Sequence, residues 1–387
     1  MGVASTMDMP TIGYGTISHP PVGWTTIEGT GRGLYNFKNI DQYVKASPKD
    51  ANGVAQVVID LGGWTPSWAV ANQTQCFYNE MKVGACTVPP DNIQDWVDYV
   101  TSVMSHYNGV TAPHVAYYEI WVEASNTKFW MGTVPQMLAL AQAAYPVVKQ
   151  DPYSFVLTPS VVWMNGVKFM TSYLSLGGGA YADGLSFHGY PSQTGPSSLK
   201  PVPLPESPLS TNAPIMTMIS TFRQMADTYG MQGKPIMTTE GGWGTNGLTD
   251  SDMQIAWITH YEILQAGLAA SNNLRFQDWF TWGHAVSGTI ETAAGAPTPA
   301  AKAYNVVVGW LVGQQAYPCT NAGNIWSCQI GQNLVVWDTS QTCGKGVCTT
   351  SIYAPPAGYS EYVDVTNCVH PISGVVSLGV KPIMLER

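Results

Sequence analysis

From about residue 11 to residue 312, short runs rich in β-branched and aromatic residues alternate with longer runs of helical period, and few folds accommodate that alternation. It is the signature of βα units wound around a parallel sheet. Strands are expected at Thr11–Ser18, Ala55–Leu61, Val115–Val122, Phe155–Ser160, Gly184–His188, Pro235–Glu240 and Arg275–Thr281. Helical patterns lie between them at Ile93–His106, Val134–Lys149, Pro214–Tyr229, Asp250–Ala270 and Thr298–Val312. Seven strands are one short of a closed (β/α)8 barrel. The best source of the eighth is the extreme N-terminus, Met1–Ser5, as a very short first strand; the alternatives are a longer natural chain or a barrel open at that point, whose bare strand edges a partner subunit could cover. After about residue 313 the texture changes to Gly, Cys, Thr and Val without helical period, with strand-like runs at Asn333–Trp337, Glu361–Val365 and Val375–Val380. The expectation is an α/β chain: a (β/α)8-type barrel over 1–312 and a small β-rich, sandwich-like domain over 313–387.

Composition narrows the function. Only 11% of the 387 residues are charged, against roughly 25% in an ordinary soluble domain, while 14 Trp and 20 Tyr make the chain rich in aromatic surface. Sixteen basic and 25 acidic residues give a net charge of −9, and no Lys/Arg cluster offers the counterion release on which nucleic-acid binding depends. No window approaches the roughly 20 apolar residues of a membrane span, and the N-terminus lacks a basic segment followed by an apolar stretch. Neither nucleic acid nor a membrane is an expected partner.

The seven cysteines fall into local pairs, Cys76 with Cys86, Cys319 with Cys328 and Cys343 with Cys348, leaving Cys368 over. They read as a disulfide framework in an exported protein whose leader has been removed. The sequon Asn72-Gln73-Thr74 agrees with export. With no Cys-x-x-Cys pair and no His-Glu-x-x-His among seven scattered histidines, neither a metal nor another cofactor is expected. Gly29-Thr30-Gly31-Arg32-Gly33 lacks the spacing and the Lys of a phosphate loop and reads as a turn.

In a barrel of this kind, chemistry collects at the C-terminal ends of the strands. Two expected strands end in carboxylates, in Tyr117-Tyr118-Glu119-Ile120-Trp121-Val122-Glu123 and in Pro235-Ile236-Met237-Thr238-Thr239-Glu240. Two carboxylates facing each other across a barrel mouth suit glycoside cleavage: one protonates the leaving oxygen, and the other attacks the anomeric carbon or activates water. Glu119 lies on the same strand face as Glu123 but deeper, and reads as a buried structural carboxylate. Trp64, Trp68, Trp130, Trp163 and Trp243 follow strands and offer flat faces for sugar rings.

Tyr118-Glu119-Ile120-Trp121-Val122-Glu123, with Phe129-Trp130 after it, resembles the Tyr-Glu-Ile-Trp-Asn-Glu segment of clan A glycoside hydrolases, most closely family 39 with its β-xylosidases and α-L-iduronidases. Further segments similar to that family follow in order: Trp24-Thr25-Thr26-Ile27-Glu28, Gly33-Leu34-Tyr35-Asn36-Phe37, Thr65-Pro66-Ser67-Trp68, Ser186-Phe187-His188-Gly189-Tyr190-Pro191 and the terminal Val380-Lys381-Pro382-Ile383-Met384-Leu385. The resemblance implies a retaining glycosidase acting on an oligosaccharide, a polysaccharide or another glycoside, with Glu123 as general acid/base and Glu240 as nucleophile. The chain departs from the pattern at Val122, where the family has an Asn that bonds the sugar's 2-hydroxyl, and at Ala124-Ser125 in place of Pro-Asn. Asn126 is a candidate substitute donor. The alternative is a carbohydrate-binding barrel that has lost catalysis.

The remaining site candidates follow from position. His188 and Tyr190 close the sixth strand beside the Glu240 strand and are expected to orient Glu240, or else to be a satisfied core histidine and a packing tyrosine. Glu240 is expected to be held ionised by such neighbours, and Glu123 to keep its proton in a more apolar surround beside Trp121 and Val122. Trp282, after the last strand, is expected either to form the floor under the sugar or to belong to the core.

Overall fold

The computed structural model describes residues 1–4, 9–18, 23–79, 82–162, 166–190, 203–207, 214–242, 248–283 and 290–387. Eight parallel strands form the central sheet: β1 (Gly2–Ala4), β2 (Thr16–Ser18), β3 (Ala55–Gly62), β4 (Val115–Trp121), β5 (Phe155–Leu157), β6 (Leu185–His188), β7 (Ile236–Gly241) and β8 (Leu274–Phe280). Their order is β5-β4-β3-β2-β1-β8-β7-β6. Single parallel bridges, Leu157 with Gly184 and Val162 with His188, join the two ends and close the ring.

The short first strand is present, and three residues suffice because β1 pairs on both sides, Val3 lying opposite Ile17 and opposite Trp279. Gly2 has no side chain because the barrel interior beside it is already filled. A Cβ there would fall 2.0 Å from Asp278 Oδ1 and 2.1 Å from Thr16 Oγ1, and the Thr16 hydroxyl donates to that Asp278 oxygen at 2.6 Å.

Two expected strands are shorter than their apolar patterns. Residues 11–15 stay outside β2 because Gly13 N–H donates to Asn305 Oδ1 and Gly15 N–H to the Met1 carbonyl, leaving no ladder for them. Beyond Leu157, Ser160 turns toward the Trp121 carbonyl, so its segment serves the mouth of β4 rather than extending β5.

Among the described residues eight α-helices flank the sheet: α1 (Trp24–Glu28), α2 (Lys38–Ala46), α3 (Ile93–His106), α4 (Val134–Val148), α5 (Gly166–Ser175), α6 (Ile215–Thr228), α7 (Ser251–Asn272) and α8 (Pro299–Leu311). Their starts are written locally, with Asn92, Thr133, Asp250 and Thr298 side chains each accepting a first-turn amide. The sequence pattern misses α1, α2 and α5; α2 buries only Ile40, Tyr43 and Val44. Much of the aromatic content is core. Trp24, Trp96, Tyr99, Trp121 and Trp130 form a continuous cluster with ring centroids 5.0–6.1 Å apart between neighbours. This cluster anchors the end of β4.

C-terminal to α8 the chain forms antiparallel sheets. The largest has six strands, in the order Thr320–Ala322, Ile325–Ile330, Asn333–Asp338, Ile383–Glu386, Glu361–Asp364 and Val369–Pro371. Ser351–Tyr353 pairs with Val376–Leu378, and Leu378 shares a small core with Val336, Ile383 and Leu385. These sheets dock on α7 through His260, whose Nε2 lies 2.8 Å from the Val380 carbonyl and whose Nδ1 lies 3.0 Å from Glu206. The Trp337 indole donates to the same Glu206 carboxylate at 2.9 Å and stacks on the imidazole.

Disulfides join Cys76–Cys86, Cys319–Cys328 and Cys343–Cys348, the three pairs expected from spacing, and Cys368 is an exposed thiol. Among the described residues no helix is long and apolar enough to cross a membrane.

Candidate active site

The barrel mouth at the C-terminal ends of β4, β6 and β7 brings Glu123, His188 and Glu240 together. Each offers one ligand-type atom, and these atoms lie within 4.8 Å of one another. His188 is fully buried and sits between the carboxylates, its Nδ1 3.0 Å from Glu123 Oε1 and 3.4 Å from Glu240 Oε2. Both glutamate side chains keep about one-eighth of their surface open, 12% each, so each has a buried base and an accessible tip.

Glu123 reaches this position by leaving the strand. Val122 N–H still bonds the Gly62 carbonyl at 2.9 Å, and the next residue turns into the left-handed region with φ of 43°. A non-glycine residue there costs on the order of 1 kcal/mol, and such conformations concentrate at functional sites. Ser160 holds the turn on both sides: its Oγ accepts from Glu123 N–H and its carbonyl from Ala124 N–H, each at 2.9 Å. Asn126 then folds back, and its Nδ2 donates to Glu123 Oε2 at 2.7 Å.

Glu240 stays within its strand. A register shift between Thr238 and Glu240 places Thr238 opposite Phe187 and Glu240 opposite His188, an extra residue that re-aims the carboxylate. Gly189 N–H bonds the Glu240 carbonyl, and Tyr261 Oη donates to the Gly189 carbonyl at 2.8 Å. Gly241 is required by this packing, since a Cβ there would fall 2.0 Å from Tyr261 Oη. The Tyr190 hydroxyl donates to Glu240 Oε1. Burial first, then the Glu240 charge and the bond to it, push the Tyr190 phenol well above its ordinary range, so it remains a donor.

One layer deeper, Glu119 is fully buried and accepts hydrogen bonds from Ser186 Oγ and, at 2.9 Å, from Thr239 Oγ1. It belongs to the interior beneath the site.

The arrangement differs from the sequence expectation at three points. His188 lies nearer Glu123 than Glu240; the end of β6 pairs with β7 on one side and, through Val162, with the segment after β5 on the other. Glu123 is not in an apolar surround: it meets the Asn126 amide and the imidazole. That contact also commits Asn126 to Glu123. Trp282, expected either to form the floor under the sugar or to belong to the core, is 0% exposed and part of the main core. Its segment turns inward where the Thr281 carbonyl accepts from Ile290 N–H.

The five loop tryptophans also separate. Trp130 is buried against Trp121, and Trp68 donates to the Glu28 carbonyl beneath the Arg32 guanidinium. Trp64 is half-buried and meets Phe77 and Phe129, while Trp163 and Trp243 lie outside the described residues. Ser160 is the contributor that sequence reasoning passes over. Its only signal is its place as the polar end of an apolar run, the same signal that marks the glutamates.

Glu123, His188 and Glu240 also constitute a donor set able to hold a cation; a second such group, Asp252 with Cys343 and Cys348, has its thiols committed to a disulfide. Chemically, two carboxylates at this spacing can bracket a bond, one giving a proton while the other attacks.

No family model matches the chain, and no curated protein matches it. Solved structures do. A family 39 glycoside hydrolase from the gut symbiont Bacteroides cellulosilyticus WH2 superposes with a TM-score of 0.69 at 17% identity, over 97% of this chain and 75% of that one. A monomeric β-xylosidase from Caulobacter crescentus CB15 gives 0.64 at 15% identity, over 96% and 90%. A family 30 subfamily 8 xylanase, Xyn30A, from Clostridium acetobutylicum gives 0.58 at 12% identity, over 99% and 94%. The chain therefore has the fold of these clan A glycoside hydrolases, a (β/α)8 barrel followed by antiparallel sheets.

Proposed function

We propose that this protein is an exported retaining glycoside hydrolase, with residues 1–312 as catalytic barrel and 313–387 as accessory domain. The observation that carries the reading is the pair Glu123 and Glu240, facing each other across His188 at the C-terminal mouth of the barrel. Retaining enzymes hold their carboxyl groups about 5–5.5 Å apart, whereas inverting enzymes leave room for water at about 6.5–9.5 Å. One oxygen of each glutamate lies within 4.8 Å of the other, a contact that the shorter spacing allows. Export rests on the three disulfides.

Glu240, charged and steadied by the Tyr190 hydroxyl, attacks the anomeric carbon as the bond to the leaving oxygen breaks. Glu123 delivers its proton to that oxygen. The product of this step is a glycosyl ester on Glu240. Glu123, now a carboxylate, takes a proton from water as the water attacks the same carbon and the ester bond breaks. Asn126 and His188 aim Glu123 through both halves. The substrate class is a β-linked plant or microbial glycan, in line with the β-xylosidase and xylanase among the similar structures.

Val122 favours a second reading, a sugar-binding barrel without turnover, because its methyl groups cannot replace an amide bond to the 2-hydroxyl. One experiment separates the two. The purified protein is screened against aryl glycosides and polysaccharides beside Glu123→Ala and Glu240→Ala. Hydrolysis lost in either variant supports the enzyme, and glycan binding without any hydrolysis supports the second reading.

A further inference from the structure

Beside the acid/base candidate the surface carries an aromatic wall that the reaction at one glycosidic bond does not use. Trp64 stands two residues beyond the end of β3, where Gly62 meets Val122. Its ring stacks on Phe129 with centroids 5.3 Å apart and meets the edge of Phe77 at 5.6 Å. Phe77 is 40% exposed, in a hairpin stapled by Cys76–Cys86 and tied to the Glu123 loop where Met131 N–H bonds the Thr87 carbonyl.

The wall is coupled to the site by a chain of hydrogen bonds. Trp64 Nε1 donates to the Lys128 carbonyl at 2.9 Å, Lys128 N–H donates to Asn126 Oδ1 at 3.1 Å, and Asn126 Nδ2 donates to Glu123 Oε2 at 2.7 Å. A partly exposed aromatic cluster is thus fixed to the carboxylate proposed to protonate the leaving oxygen. Aromatic faces take up the apolar C–H faces of sugar rings, and exposed apolar surface beside a polar cleft marks a binding site.

The geometry points to a second sugar subsite, in which Trp64, Phe77 and Phe129 stack on the saccharide unit adjoining the bond that is cleaved. The inference rests on the glycosidase reading for the position of that bond, and it makes the substrate an oligosaccharide or polysaccharide rather than a simple glycoside. Tyr78, although 81% exposed, points to the opposite face of its strand and takes no part.

The test compares wild type, Phe77→Ala and Tyr78→Ala, each checked for an unchanged melting temperature. Xylo- and cello-oligosaccharides of increasing length are assayed against the corresponding glycosyl fluorides, whose leaving group has no ring. Phe77→Ala is expected to lower the ratio of kcat/KM on oligosaccharide to that on fluoride roughly tenfold, with Tyr78→Ala like wild type. Binding of the same oligosaccharides is measured in a Glu240→Gln background, where Phe77→Ala should weaken affinity by a similar factor. Trp64→Phe keeps an aromatic ring, smaller than the indole and without its donor, and should leave that affinity nearer wild type than Phe77→Ala does. Fluoride hydrolysis with no change at Phe77 overturns the subsite and leaves the function standing. Binding that falls at Phe77 in a protein without turnover keeps the subsite and overturns the function. Failure of the wild-type protein both to bind and to cleave overturns both.

Discussion

Glu123 and Glu240 occupy equivalent places, at strand ends on either side of one imidazole and with equal exposure, yet the chain supports them by different means. Glu240 is part of a ladder: its carbonyl accepts from Gly189, its strand is bulged into register, and a buried phenol holds its carboxylate. Glu123 stands off its strand in a left-handed turn, supported by Ser160 and Asn126. The difference fits the roles proposed for the two residues. A nucleophile forms a bond to one carbon and gains from rigidity, whereas an acid/base serves first a leaving oxygen and then a water.

The sharpest break in the comparison comes from removing each carboxylate. Glu240→Ala is expected to lower kcat by roughly 10⁴–10⁶-fold, the scale seen when a covalent nucleophile is deleted. Glu123→Ala should cost about 10²–10⁴-fold on unactivated glycosides and much less on aryl glycosides with good leaving groups. Added azide sharpens the contrast. It should restore turnover in Glu123→Ala with a glycosyl azide of retained configuration, and in Glu240→Ala with the inverted product. The opposite stereochemistry would exchange the two roles.

Tyr190→Phe tests the Glu240 side alone. It removes a hydrogen bond to a charged group, a change expected to cost about 10–100-fold in the first, glycosylating step. Single-turnover measurements read that step directly. Unchanged rates in both glycosylation and deglycosylation, the two steps that make and break the bond to Glu240, would show that the phenol does not act through the nucleophile.

The supports were legible in the sequence to unequal degrees. The strands and both glutamates could be read because a strand carries its pattern locally and strand ends are where a barrel exposes polar groups. The bulge in β7 could not, since it depends on Gly241 fitting under Tyr261, a residue twenty positions later in α7. His188 was visible as the end of a strand, but its position between two carboxylates depends on which strands neighbour β6. Trp282 stayed open between platform and core for a related reason: an aromatic residue after a strand looks the same whether its segment turns out or in. The left-handed turn at Glu123 had no glycine to announce it, and the structure supplies the reason in Ser160, a residue from another strand segment.

Ser160→Ala is therefore the mildest and most selective way to probe the Glu123 side. The Glu123 amide loses its 2.9 Å acceptor, while the carbonyl that holds Ala124 remains. A stability loss of about 1 kcal/mol is expected, visible as a small fall in melting temperature. The kinetic effect should depend on the leaving group. Where departure needs a proton, a displaced Glu123 delivers it less well, so unactivated glycosides should slow severalfold. An activated aryl glycoside departs without that help and should barely change in the glycosylation step. If both substrates slowed equally, the serine would be acting on the barrel as a whole, and the turn at Glu123 would lose its claim to position the proton donor.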